Sequence, residues 1–130
     1  MPPLTITAIY AALITGIFLA LSLRVIRYRR SHRLGLGDAG DKSLLKRMRA
    51  QANCAEYAPI GLILLALIEA QGTPGWVVHI FGLTLLIGRA LHAYGFSASP
   101  PVMKLRIAGM MLTLFALATM ALGLLAHSLF

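Results

Sequence analysis

Between Arg49 and Tyr57 the sequence RAQANCAEY sets a guanidinium, an amide, a carboxylate and a phenol at i, i+4, i+7 and i+8. On a helix that spacing puts Arg49, Asn53, Glu56 and Tyr57 on one face. Arg89, His92 and Phe96, at i, i+3 and i+7, share a face of a later helix. These are charge-pairing and hydrogen-bonding groups. They do not make a metal centre, because no pair of histidines has ligand spacing, and no glycine-rich loop suits a phosphate. The single cysteine, Cys54, rules out an intramolecular disulfide and reads as a small buried hydrophobe.

The elements that must position these groups are apolar. Of 130 residues, 58% are hydrophobic and 12% charged, far outside the soluble range. Leu4 to Leu23 is uncharged for 20 residues, Ala70 to Gly88 for 19, and Ile107 to Phe130 for 24. Each is long enough to cross a hydrocarbon core of about 30 Å as a helix. The run from Tyr57 to Ile68 has only 12 uncharged residues and must borrow length from the polar stretch before it. Part of RMRAQANCAEY therefore lies at membrane depth. The reading is all-α: a four-helix membrane bundle in one domain, 1–130, with helices at about 4–31, 43–70, 76–96 and 102–130. Asp41 or Ser43 caps the second helix, GTPG (72–75) turns the chain, and SASPP (97–101) breaks the third helix.

A formal charge of +8 suggests nucleic acid, but its distribution points to topology instead. Nine of the twelve basic residues lie between Arg24 and Arg49, and the rest are Arg89, Lys104 and Arg106. MPPLT, EAQGTPG and AHSLF carry neither Lys nor Arg. By the positive-inside rule both termini face away from the cytoplasm. The first run lacks a basic leader and a small-residue cleavage site, so it reads as a retained span. Arg24, Arg27, Arg33 and Lys42 read as headgroup anchors, and Tyr10, Trp76 and Tyr28 as interfacial rings. His79 and His127 read as packing or interfacial histidines, and Glu69 as the polar cap of a span.

Arg49, Asn53, Glu56, Tyr57, Arg89, His92, Arg106 and the end of the first helix all fall near the cytoplasmic side. A charge near the core costs about 2.5–3.5 kcal/mol unless paired or wet. A shared, hydrated cavity keeps that cost low. The plainer account is that the same groups fasten helices together.

RAQANCAEYAP (49–59) resembles the second-helix motif of the MAPEG family, the membrane-associated proteins in eicosanoid and glutathione metabolism. VIRYRRSHR (25–33), GRALHAYGF (88–96) and LRIAG (105–109) extend the similarity over essentially the whole chain, which looks like the bacterial inner-membrane branch. The resemblance implies a homotrimer with glutathione between neighbouring protomers near the cytoplasmic face. Matched by position, Arg30, Arg49, Gln51, Asn53, Glu56 and Tyr57 hold the tripeptide, and Arg106 stands beside its thiol. Guanidinium groups suit the two carboxylates of glutathione, and Glu56 suits its ammonium. A cation beside the sulfur favours thiolate. His92 and Phe96 replace two tyrosines of a family enzyme; His92 can still donate a hydrogen bond, whereas Phe96 cannot.

What the resemblance implies is conjugation or peroxide reduction of a lipophilic electrophile entering from the bilayer. The competing reading is a lipid-binding or scaffold protein without turnover, a type the family also contains. A small multidrug-type transporter would want an essential carboxylate at mid-membrane, and Glu56 lies too near one end.

Overall fold

A computed structural model describes residues 3–130; the first two residues of the uncharged MPPLT segment lie outside it. The chain forms four helices: α1 (Thr5–His32), α2 (Lys42–Ala70), α3 (Gly75–Ser97) and α4 (Met103–Leu129). Each is long and apolar enough to cross a membrane. The bounds fall within a residue of those read from the sequence. Among the described residues there is no strand.

The ends of the helices follow local chemistry. Asp41 caps α2, its Oδ1 accepting from the Ser43 and Leu44 amides at 2.9 and 3.0 Å. Those amide bonds, led by Leu44, hold its carboxyl below the ordinary range, and the Tyr28 hydroxyl at 2.8 Å adds to this. α1 stops at Arg33, whose φ of 53° is left-handed. Pro59 sits inside α2 and leaves the Ala55 carbonyl without its helical donor.

Packing sets how each helix is turned. α1 lies on α2 and α3, α4 lies on α3 and α2, and α1 and α4 do not meet. α3 and α4 run backbone against backbone at Gly88, Gly95 and Gly109. A Cβ on Gly88 would lie 2.9 Å from the Gly109 carbonyl, and one on Gly109 would strike the His92 amide. Small residues at such crossings let backbones touch, which is how helices associate where lipid removes the hydrophobic drive. Gly82 likewise admits the Tyr10 ring, so Tyr10 is buried between α1 and α3. Its hydroxyl meets His79 Nδ1 at 2.9 Å.

Two helix ends are capped by side chains from other helices. Glu69, near the end of α2, accepts from Ile6 N (2.9 Å), Thr7 N (2.7 Å) and Thr7 Oγ1 (2.6 Å), closing the first turn of α1. At the other end of the bundle, Lys46 Nζ donates to the Ala98 carbonyl at 2.9 Å. Arg24 Nη2 reaches the Ser97 carbonyl at 3.4 Å. Arg24 is therefore half-buried, with one nitrogen turned toward the end of α3.

Candidate functional site

At the basic end, α2, α3 and α4 enclose a groove of about 410 Å³. Its polar lining is Asn53 and Tyr57 from α2, His92 from α3 and Arg106 from α4. Met103, Ile107, Met110 and Met111 supply the apolar side. Four of the residues singled out in the sequence thus share one cavity, of a size suited to a small molecule.

Arg106 is half-buried, with its guanidinium carbon 3.9 Å from the centre of the Phe96 ring. Among the described residues its side chain has no hydrogen bond and no ion pair. A guanidinium stacked by one face keeps its N–H edges free for an anion. Phe96 therefore does something a tyrosine hydroxyl need not do: it supports the plane of Arg106. His92 is buried, with its ring centre 5.6 Å from that of Phe96.

Beneath this wall lies Arg89, 1% exposed. Its Nε donates to Thr113 Oγ1 at 3.0 Å, and Nη1 donates to Asn53 Oδ1 at 2.6 Å and to the Asn53 carbonyl at 3.3 Å. Its guanidinium also stands 5.5 Å from the Tyr57 ring centre. Arg89 thus holds the Asn53 oxygen, leaving the amide nitrogen directed toward Met110 at 3.9 Å. The spacing reading put Arg89 on a polar face without assigning it a part. The available signal was an arginine in an apolar run with no acid three or four residues away, which forces it to find partners on other helices.

The α2 face itself divides. Asn53 and Tyr57 turn into the groove, while Arg49 and Glu56 lie outside it, 3.9 Å apart, each side chain 54% exposed. Gln51 is half-buried on another side of α2, about 200° from Arg49 by helical geometry. Arg30 is exposed at the end of α1, beside Arg29 and Arg33 in a separate shallow groove. Within one chain, then, Arg30 and Gln51 do not join the other site residues.

Known proteins resemble this arrangement along nearly its whole length. The pattern of the MAPEG family matches residues 7–126. The sequence is 37% identical to the inner membrane protein YecN of Escherichia coli (strain K12) over 118 residues, covering 91% of this chain and 88% of that one. It is 36% identical to leukotriene C4 synthase of Cavia porcellus over 115 residues, covering 83% and 73%.

Proposed function

The chain belongs to the MAPEG family, and we propose that it binds glutathione at the basic end and activates its thiol toward a lipophilic electrophile. The observation that carries this reading is Arg106: a guanidinium unpaired among the described residues, in a groove whose other polar groups are uncharged or buried. Such a groove favours an anion, and a thiolate is the anion the family relationship suggests. Lowering a thiol pKa from about 8.5 to about 6.5 raises its ionised fraction at neutral pH from a few per cent to roughly three quarters. Asn53, Tyr57 and His92 offer hydrogen bonds to the peptide, and Arg49 and Glu56 offer charge partners for a carboxylate and the ammonium.

The exposed Arg49–Glu56 pair at membrane depth is costly in lipid and calls for cover. A homotrimer supplies it. A neighbouring copy would also bring Arg30 and Gln51 to a ligand lying between subunits. The apolar wall of Met103, Ile107 and Met111, each more than half exposed, admits a hydrophobic reactant from the bilayer. The same wall favours the second reading, a lipid-binding protein without turnover. By likeness to YecN, the proposed location is a bacterial inner membrane, with the basic end cytoplasmic.

Calorimetric titration of the detergent-solubilised protein with glutathione tests the binding, and ultraviolet thiolate absorbance against pH tests the activation. Saturable heat with thiolate forming well below the pH seen in free solution is expected. Binding with an unshifted thiol would leave the lipid-binding reading as the better one, and no saturable heat would remove the proposal.

A further inference from the structure

A second groove, of about 360 Å³, opens between α1 and the start of α2, lined by Arg24, Arg27, Tyr28, Ser31 and Arg47. It is distinct from the groove beside Arg106: on α2, Arg47 lies about 200° around from Arg49. Three guanidinium groups face it and none of its lining residues is acidic. Asp41, which reaches it through Tyr28, is already occupied by the Ser43 and Leu44 amides and the Tyr28 hydroxyl. Arg47 lies 4.4 Å from the Tyr28 ring centre and donates to the Ser43 carbonyl. Arg27 has no partner among the described residues, and Arg24 Nη1 is covered without one. Three like charges around one groove repel unless an anion enters.

Depth says which anion. The uncharged run Leu4–Leu23 fills about 30 Å of hydrocarbon, so Arg24 to Ser31, about 10 Å further along α1, spans the headgroup layer. Below Arg24 the same face of α1 continues at helical spacing as Ala20, Gly16 and Leu13, all exposed. It is a shallow apolar strip with a cationic top. We infer that this groove seats the phosphate of an anionic phospholipid, whose acyl chain lies along Ala20, Gly16 and Leu13. The inference uses the fold and the charge pattern alone, and does not depend on glutathione binding.

The test is native mass spectrometry of the purified protein in non-ionic detergent with equimolar phosphatidylglycerol and phosphatidylcholine. The parent should retain phosphatidylglycerol preferentially, and Arg27→Gln with Arg47→Gln should cut that preference about 25-fold, at about fivefold per cation. Arg33→Gln with Lys104→Gln, exposed cations outside the groove, should leave it within about twofold. Melting in lipid-free detergent shows whether the double variant folds. If it does not, the Arg27→Gln single change, at an exposed unpartnered residue, carries the test. No preference in the parent, or equal loss in the control pair, overturns the seat. Displacement of phosphatidylglycerol by inorganic phosphate would give the site to a soluble anion and overturn the lipid assignment. Lost oligomer with unchanged lipid retention would give the face to a second copy of the chain, with the same effect.

Discussion

The two ends of the bundle treat charge in opposite ways. Away from the basic end, Glu69 has a donor for both oxygens, two of them backbone amides of α1, and Tyr10 and His79 satisfy each other. At the basic end, among the described residues, Arg106 has no partner, Arg49 and Glu56 touch only loosely in the open, and one covered nitrogen of Arg24 is unpaired. The same fold builds both, so the difference is not one of helix packing. Polar groups that complete one another are architecture, while polar groups left open mark where something from outside the chain must come.

The contrast breaks most plainly if the two glutamates behave alike. Glu69→Leu strips three hydrogen bonds from the first turn of α1 and should lower stability by about 2–4 kcal/mol, with glutathione affinity little changed. Thermal melting and calorimetry on the same sample check both parts. Glu56→Gln should do the reverse. Its exposed pair adds little to stability. Loss of an ammonium partner should weaken glutathione binding by about 1.5–3 kcal/mol, roughly ten- to over a hundredfold. A Glu56 variant that melts early but binds normally would erase the distinction between the two ends.

Arg106→Ala sharpens the picture within the site. Affinity should stay within about threefold, since the thiol contributes little to holding the tripeptide, while thiolate formation moves to higher pH and conjugation of a test electrophile slows. If both the titration and turnover stay as in the parent, Arg106 does not serve the sulfur. The smallest effect concerns Asp41, which is satisfied although it lies at the basic end. Its folded carboxyl ionises at lower pH than an unfolded one, so its cap is fully present above the ordinary carboxylate range. The contribution fades as pH falls from about 4 through the lower folded value. Amide exchange at Ser43 and Leu44 should quicken over that window, and Asp41→Asn should flatten the dependence.

Much of this was legible in the residues. Uncharged runs of known length mark the spans, Asp41 and the glycines around it mark a helix start, and the i, i+4, i+7, i+8 spacing finds a shared arc on α2. The spacing could not say where that arc would be cut. Asn53 and Tyr57 turn inward and Arg49 and Glu56 outward because packing rotates α2 about its axis, with Gly61 receiving Leu85 from α3. Caps supplied by another helix were equally hidden: nothing near Glu69 in the chain announces the amides of Ile6 and Thr7, more than sixty residues away. The stacking of Phe96 on Arg106 needs the close α3–α4 crossing, which pairs of glycines permit without specifying.

Met103, Ile107 and Met111 make one wall of the Arg106 groove and also part of the outer surface of the bundle. A reactant that arrives through that wall has first dissolved in the membrane, and it searches in two dimensions. Its effective concentration is then its mole fraction among lipids, so adding empty vesicles or detergent dilutes it although the water volume is unchanged. Apparent saturation constants expressed per litre would climb with total amphiphile, while those for a water-borne peptide would stay fixed.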